Sequence, residues 1–385
     1  MSVLVTGAGA KASIGGDVDE VFDSLCAGRS GLAELRGFDA ARYRTRHAYE
    51  IDDRPPGRRD RPYRATDWLL SAVAEATSQA GLGGDLGDVP VLVGTGLREL
   101  RSAELAWRDG AAFGVDRLHF GTALRERFGA VQSHTFSNAC SASLHALALG
   151  ADLIEAGESD TVVVAGVDTL TESMYGLLDR VHMEPPQRVQ PFDRARKGVL
   201  MGEGAVAVVL RREDGPATGS LGRLRSVSMN CDAHHVTAPD PAGITEAVRE
   251  AHDRAGVKPA DIDLVMLHGT GTLLNDEAEA AAVATVFGED VTRPLMTALK
   301  SMTGHTSGGS GLLSLIVALR AMATGRVPAT LGLDEPVAEA GRFRFVRERD
   351  HQAPELTLAQ VDAFGFGGVN TVAVVERTQK GRTAT

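Results

Sequence analysis

The chain has 385 residues, of which 43% are hydrophobic and 24% charged, close to the averages of globular proteins. This composition excludes a disordered or fibrous chain and allows one large domain or two ordinary ones. The net charge of −11 excludes nucleic acid as a bulk partner, because phosphate binding needs a basic field. No signal peptide and no apolar stretch of about eighteen residues is recognisable, so we expect a cytoplasmic protein outside the membrane.

Short β-branched segments bounded by glycine or polar turns predict buried strands. In chain order they are VLVTG (3–7), VPVLVGTG (89–96), TVVVAG (161–166), AVAVVL (205–210), LVMLHG (264–269) and TVAVVE (371–376). Helical stretches lie between them, and the clearest runs from Ser141 until Gly157 stops it. Strands that alternate with helices predict a layered α/β architecture.

The two parts of the chain repeat the same features in the same order. A strand ending in VGTG is echoed by one ending in LHGTGT, and the helix after Cys140 is echoed by SGGSGLLSLIVALRAMATG. PFDRARKGVLMGEGAVAVVL is echoed by VDAFGFGGVNTVAVVE, each a glycine-rich turn before an apolar strand. The polar stretch from Glu213 to Ser220 lies between them, so we predict two halves, 1–215 and 216–385.

Cys140 lies in FSNACSASLHAL, directly before the predicted helix. A thiol there meets unpaired backbone N–H groups and the positive end of the helix dipole, and both stabilise a thiolate. The position predicts a nucleophile, against the alternative of a small buried cysteine between Ala139 and Ser141. The other cysteines, Cys26 and Cys231, complete a sparse and odd-numbered set that favours a reducing compartment over disulfides.

Two histidines lie in glycine- and threonine-rich turns, His268 in LHGTGT and His305 in KSMTGHTSGG. Such turns expose backbone and let a ligand approach, so an imidazole there faces a cleft more readily than one in mid-helix. A cysteine and two histidines at strand ends form the kind of set that nucleophilic and acid–base catalysis requires.

Seven motifs in order resemble those of β-ketoacyl-acyl-carrier-protein synthases of the thiolase fold, including the ketosynthases of polyketide assembly. They are VLVTGAG from Val3, NACSAS around Cys140, PFDRARKGVLMGEGA from Pro191, NCDAHH ending at His235, HGTGTLLND from His268, LKSMTGH ending at His305 and FGFGGVN from Phe364. The resemblance covers nearly the whole chain. It implies an α/β, thiolase-like αβαβα five-layered fold made of two similar halves, with the cysteine in the first and both histidines in the second.

The resemblance implies an acyltransferase that performs a decarboxylative Claisen condensation. Cys140 accepts the acyl group from a carrier thioester, and His268 and His305 promote decarboxylation of a malonyl thioester and stabilise the enolate. Lys300 resembles a lysine that hydrogen-bonds within this catalytic cluster. The backbone N–H groups of Cys140 and Phe366 form the oxyanion hole, where the loss of one donor typically costs about 3 kcal/mol.

The same resemblance implies the partners. Thr270, Thr272 and Phe366 bind the substrate, the two threonines through the pantetheine arm of an acyl carrier protein. No metal or redox cofactor is implied, since the phosphopantetheine belongs to the carrier. We expect a homodimer, or a heterodimer with a related ketosynthase-like subunit, because the family's pocket is completed across an interface.

An arginine-rich stretch, RPPGRRDRPYR, lies in the first half. It contains Arg54 and the four residues Arg58, Arg59, Arg61 and Arg64, opposed only by Asp60. By charge alone it predicts a solvated loop. Related enzymes place basic residues there to dock the acidic carrier, so the four are candidate docking residues that tune the rate of encounter.

Two departures from the family pattern concern the pathway. Ser314 stands where fatty-acid-type members often carry a glutamate, and the first half is shorter than usual before Cys140. Together with the arginine-rich composition, these departures favour a polyketide or other specialised pathway over housekeeping fatty-acid synthesis.

Two other functions remain open from the sequence. An acyltransferase can use the same acyl-cysteine to form an ester or an amide, and a ketosynthase-like chain can serve as a mainly structural subunit of a heterodimer. A dinucleotide-binding dehydrogenase is disfavoured, because Lys11 and Ser13 stand where close-approach glycines should lie in VLVTGAGAKASIG. A metal at Cys231, His234 and His235 is disfavoured, because three adjacent donors without a second cluster make a poor tetrahedral site.

Overall fold

A computed structural model describes residues 3–54, 60–213 and 219–378 of the chain. The strands are β1 (Val3–Ala12), β2 (Ala33–Glu34), β3 (His47–Ala48), β4 (Val91–Gly94), β5 (Ser133–Phe136), β6 (Thr161–Asp168), β7 (Gly204–Arg212), β8 (Gly222–Cys231), β9 (Leu264–Met266), β10 (Leu295–Thr297), β11 (Arg326–Val327), β12 (Arg344–Phe345), β13 (His351–Gln352), β14 (Leu358–Gly365) and β15 (Val369–Glu376). The helices are α1 (Val18–Cys26), α2 (Arg64–Gln79), α3 (Leu100–Asp109), α4 (Gly121–Phe128), α5 (Ala142–Glu155), α6 (Glu172–Val181), α7 (Pro241–Ala255), α8 (Leu273–Phe287), α9 (Lys300–Thr303) and α10 (Ser310–Thr324).

The two halves have the same sheet topology. The eleven-stranded sheet has the order β12-β10-β9-β14-β15-β8-β1-β7-β6-β4-β5, and β8 meets β1 only over three residue pairs. If the five main strands of each half are numbered in chain order, both halves read 3-2-4-5-1. In both, the last strand pairs antiparallel with the first and the fourth, and the other pairs are parallel. The repetition seen in the sequence is therefore a repetition of the fold.

Three clusters of buried side chains show how the layers stack. The central cluster joins α5 and α10 with strands from both halves, so these two helices lie between the two parts of the sheet. A second cluster packs α7 and α8 on the outer face of the second half, and a third packs α2 and α4 on the outer face of the first. The predicted thiolase-like αβαβα arrangement is confirmed.

The glycines of VLVTGAG are explained by helix packing. A Cβ added at Gly7 would lie 2.1 Å from the carbonyl oxygen of Ala76, and one at Gly9 would lie 2.0 Å from that of Ala72. Both partners belong to α2, which therefore approaches β1 at backbone distance. These glycines serve close packing of a helix on a strand, and no phosphate loop is needed to account for them.

One apolar stretch passes the length and hydropathy test for a membrane span among the described residues. It covers residues 307–324, and 83% of that window is buried inside the protein. The stretch contains α10, which lies in the central layer. Its apolar character is therefore accounted for by packing between the two halves.

The predicted boundary between the halves, at 215/216, lies outside the described residues, because positions 214–218 are not among them. The boundary itself therefore stays a prediction. The described strands on either side, β7 and β8, belong to the first and the second half respectively.

Candidate active site

Cys140 lies at the start of the central helix of the first half. A single 3₁₀ turn, Ala139–Ser141, connects the loop after β5 to α5, which begins at Ala142. Ala139 has a φ of 50°, a left-handed conformation that costs energy for a residue with a side chain. Such strain persists only where the surroundings enforce it, and here it accompanies a thiol that lines a cavity.

His305 comes from the second half and reaches the thiol directly. Its Nε2 lies 2.9 Å from Cys140 Sγ. Its Nδ1 accepts a hydrogen bond from the Ser307 backbone N–H at 3.2 Å, which places the proton of the neutral ring on Nε2. The ring therefore donates to the sulfur. Backbone bonds to Leu200 and Gly202 hold this loop against the first half.

His268 follows β9 and faces the same cavity. Lys300 Nζ lies 3.4 Å from its Nδ1 and also contacts its carbonyl oxygen. Because an ammonium group can only donate, Nδ1 is an acceptor and Nε2 carries the proton. This Nε2 is buried and has no hydrogen-bond partner among the described residues. The His268 and His305 rings meet edge to face, with centroids 5.5 Å apart.

The charge states of these groups follow from burial. Burial lowers the pKa of His268 and of His305 well below the usual value, and the Lys300 charge lowers both further, so both rings are neutral. Burial also lowers the pKa of Lys300 to about 8, although the negative charge of Glu279 opposes this.

The thiol behaves differently from the sequence expectation. Burial raises the pKa of Cys140 to about 11, although the Lys300 charge and the backbone N–H groups of Phe366 and Cys140 lower it. The start of α5 alone therefore does not give a resting thiolate. The two N–H groups that act on the sulfur are those predicted for the oxyanion hole, and Phe366 itself is 50% exposed at the cavity mouth.

Two carboxylates on the first turns of α8 organise the loop that carries His268. Glu279 accepts hydrogen bonds from the backbone N–H groups of His268 and Gly269, at 2.6 and 2.8 Å, and from the side-chain amide of Asn275, at 3.2 Å. Asp276 accepts the backbone N–H groups of Phe192 and of Gly271, at 2.7 and 3.2 Å. Sequence reasoning missed both carboxylates, although their three-residue spacing just after HGTGT puts them on one helix face.

Asp168 fastens the His305 loop to the first half. Asp168 lies at the end of β6 and is fully buried. Its oxygens accept hydrogen bonds, each of 2.7 or 2.8 Å, from the Thr95 hydroxyl and from the backbone N–H groups of Gly96, Leu97 and Gly308. Gly308 lies three residues after His305. Burial raises the pKa of Asp168 to about 6, which leaves it ionised at neutral pH.

We expect Asp168→Asn to destabilise the fold by about 2 kcal/mol and to lower acyl transfer to Cys140. An asparagine amide would point its own N–H₂ at donors that now meet an oxygen. Denaturant unfolding and acyl loading measure the two effects. Asp160→Asn is the matched control, because the Asp160 side chain is 82% exposed and forms a surface ion pair with Arg212. Equal stability and loading of the two variants would contradict the assigned role.

A cavity of about 260 Å³ connects the cluster with the surface. Part of its lining is apolar and comes from Met174, Leu178, Val199 and Met201. Thr270 and Thr272 also line it, and their hydroxyl oxygens lie 2.8 Å apart. The cavity thus offers both apolar and polar wall beside the sulfur.

Two groups of donors bear on metal binding. The Cys140 sulfur and one ring nitrogen each of His268 and His305 lie within 4.8 Å of one another, a spacing that an ion would accept. The ammonium of Lys300 beside His268 disfavours a dication there. At the cavity mouth, His235 Nδ1 accepts the backbone N–H groups of Thr237 and Ala238, so it stabilises a turn.

Within the arginine stretch, the prediction that Arg64 docks a carrier protein is wrong. Arg64 is 2% exposed and its guanidinium pairs with Asp53, Asp60 and Glu203, at 2.7, 2.7 and 3.0 Å. A buried and fully paired cation cannot dock a carrier, so Arg64 is excluded from a docking surface. Arg61 is half-exposed. Arg58 and Arg59 lie outside the described residues.

Family profiles and relatives agree on the class of protein. The β-ketoacyl synthase N-terminal domain matches residues 1–215, and the β-ketoacyl synthase C-terminal domain matches residues 221–334. The chain is 30% identical over 412 residues to "Putative polyketide beta-ketoacyl synthase 1" of Streptomyces halstedii, covering 97% of both chains. It is 28% identical over 397 residues to "Nodulation protein E" of Rhizobium meliloti strain 1021, covering 96% of this chain and 98% of the relative.

Solved structures share the fold. "The ishigamide ketosynthase/chain length factor" has a TM-score of 0.87 at 29% identity, covering 98% of this chain and 99% of that one. A type II polyketide acyl-carrier protein in complex with its ketosynthase gives a TM-score of 0.85 at 20% identity, covering 98% and 99%, which shows the fold alone. With both domains matched and the cysteine and histidines meeting across the halves, the chain belongs to the β-ketoacyl synthase family, acyltransferases that condense an acyl thioester with a malonyl-type unit.

Proposed function

We propose that Cys140 carries the acyl chain in this chain's condensation and that His268 and His305 together hold the enolate. The observation that supports this most is the 2.9 Å contact between His305 Nε2 and the sulfur, with the unpartnered His268 Nε2 in the same cavity. Two N–H donors and one sulfur that face the same cavity suit an anion that develops during the reaction.

The first step transfers the acyl group to the enzyme. The Cys140 sulfur attacks the thioester carbonyl, whose oxygen is held by the backbone N–H groups of Cys140 and Phe366. The bond to the carrier sulfur breaks, and the thiol proton leaves with the carrier thiol. Because His305 already bears its proton on Nε2, its part is to donate to the sulfur and stabilise the thiolate form.

The second step forms the carbon–carbon bond. The malonyl carboxylate leaves as carbon dioxide, and the resulting enolate oxygen accepts the Nε2–H groups of His268 and His305. The enolate carbon attacks the acyl carbonyl on Cys140, and the carbon–sulfur bond breaks. The thiolate then takes up one proton. Neutral histidines suit this step, since they stay donors without adding a charge that must be neutralised afterwards.

Lys300 and the two threonines have supporting parts in the proposal. Lys300 donates to His268 Nδ1 and so fixes the tautomer that presents Nε2–H. Thr270 and Thr272 line the cavity and offer hydroxyl groups to the amides of the pantetheine arm. The arm arrives with the substrate, so the chain itself holds no cofactor in this proposal.

The biological setting is also a proposal. We infer an acyl carrier protein as the donor, with Arg58, Arg59 and Arg61 as docking candidates, and a cytoplasmic dimer with an identical or related subunit. The solved complex of a ketosynthase with a type II polyketide carrier supports a carrier partner. The apolar side chains that line the cavity and the similarity to a polyketide synthase support a polyketide or other specialised pathway.

Incubation of the purified protein with acyl and malonyl carrier thioesters tests the proposal. We expect release of carbon dioxide in step with formation of a ketoacyl carrier, detected by mass spectrometry of the carrier. An acylated enzyme that forms an ester or amide without carbon dioxide would establish the acyltransferase alternative. A protein that never becomes acylated would establish a structural subunit.

A further inference from the structure

The buried face of β14 behind His268 carries two polar side chains and one aromatic ring in a line. Gln360, Asp362 and Phe364 are spaced two residues apart on this face and are all buried. Phe364 packs edge-on against the His268 ring, with centroids 5.8 Å apart. At the other end, Gln360 Oε1 lies 2.8 Å from Nε2 of the buried His252. The strand thus connects the interior of α7 with the candidate active site.

Asp362 is the least satisfied member of this line. Among the described residues, its only hydrogen-bond donor is Gln360 Nε2, at 2.8 Å from one carboxyl oxygen and 3.1 Å from the other. The neighbouring carboxylate, Glu279, accepts three N–H groups. Two buried carboxyl groups that interact cannot both ionise without a large cost, and the charge stays on the one with more donors.

We propose that Asp362 is a positioning residue of the condensation site, held as a neutral carboxylic acid so that, of the two carboxyl groups, Glu279 alone carries a negative charge behind His268. This inference rests on the proposed function. The charge of Glu279 then balances the Lys300 ammonium, which donates to His268 Nδ1. Loss of the Asp362 proton places a further anion in the same core, where it opposes formation of the thiolate and the enolate.

Burial raises the pKa of Asp362 to about 7, and burial and the charge of Asp362 also raise the pKa of Glu279. The two carboxyl groups therefore share one proton near neutral pH, and the three N–H donors on Glu279 keep the charge there and the proton on Asp362. From α7, His252 is neutral because burial lowers its pKa. From α8, burial raises the pKa of Asp276 to about 6, so it is ionised at neutral pH. Asp362 and Lys300 are therefore the groups of this core that lose a proton just above neutrality.

Infrared difference spectroscopy of the wild type against Asp362→Asn tests whether the pair of carboxyl groups holds a proton. At pH 6 we expect the variant to lose the carbonyl band of a protonated carboxylic acid. Loss of carboxylate bands in its place would overturn the proposal. This result does not depend on any reaction, so it separates the failure of this inference from the failure of the proposed function.

The pH dependence of kcat/KM for condensation tests the consequence. In the wild type both Asp362 and Lys300 can lose a proton above neutrality, whereas only Lys300 can in Asp362→Asn. We expect the alkaline fall of the variant to begin about one pH unit higher. Glu99→Gln is the matched control, since Glu99 is a buried carboxyl bonded to Thr66 and Ser102. If kcat/KM of Asp362→Asn falls at the same alkaline pH as in the wild type, Asp362 is a structural residue only.

Thermal unfolding gives a third readout and covers the case of an inactive variant. A buried acid with a raised pKa stabilises the folded state at low pH, and that contribution is lost as pH rises from about 4, the unfolded value, through about 7. An asparagine has no such dependence. We expect the Tm of Asp362→Asn minus the Tm of the wild type to increase between pH 5 and pH 8. If Asp362→Asn fails to fold, Asp362→Ser takes its place with the same expected result. A constant difference would contradict the buried proton.

Discussion

Cys140→Ala is expected to lose acylation completely and to slow condensation by about 10⁴-fold or more, because no other group supplies the nucleophile. Decarboxylation of the malonyl thioester should continue, since the two histidines that hold the enolate remain. Intact-protein mass spectrometry with acyl carriers measures the first effect, and carbon dioxide release measures the second.

Cys231→Ala is the matched control for the cysteine variant. Cys231 is exposed, and its thiol donates a hydrogen bond to the Gly367 carbonyl oxygen, at 3.4 Å. It should gain the same acyl mass as the wild type. A persistent acyl mass on Cys140→Ala would show that the acyl group resides elsewhere, and the proposed mechanism would then be wrong.

His268→Ala should give the opposite pattern, with acylation retained and decarboxylation slowed by about 10²- to 10³-fold. The variant removes one of the two Nε2–H donors for the enolate but leaves the 2.9 Å contact between His305 and the sulfur. Acyl loading and carbon dioxide release, measured on the same sample, separate the two half-reactions.

Two further variants support the interpretation of this result. His268→Gln keeps an N–H donor and should recover part of the lost rate. Alanine at the exposed His351 on β13 should change neither half-reaction. Equal losses of acylation and decarboxylation in His268→Ala would assign His268 a structural role.

Much of the fold could be predicted because its signals are local. The apolar β-branched runs at 161–166 and 205–210 lie within central strands, buried on both faces. Strands β8 and β14 were missed, because polar residues such as Ser226, Ser228 and Gln360 interrupt the apolar runs. Their partners come from distant helices, and no local pattern carries that information.

The catalytic cluster was also accessible to sequence reasoning, because turns with unusual glycine content mark where Cys140, His268 and His305 lie. The charge states of these three residues could not be predicted from the sequence. Burial raises the pKa of Cys140 against the effect expected at a helix start, and burial depends on the whole fold. The prediction that Arg64 docks a carrier was wrong for the same reason, because its partner Glu203 lies 139 residues away in the sequence.

The shared topology of the halves places the nucleophile and its histidine partner at matching positions. Cys140 and His305 occupy equivalent connections, each after the third main strand and before the central helix of its own half. The same connection therefore supplies sulfur in one half and imidazole in the other. A change in the length of either connection would move one member of the pair away from the other.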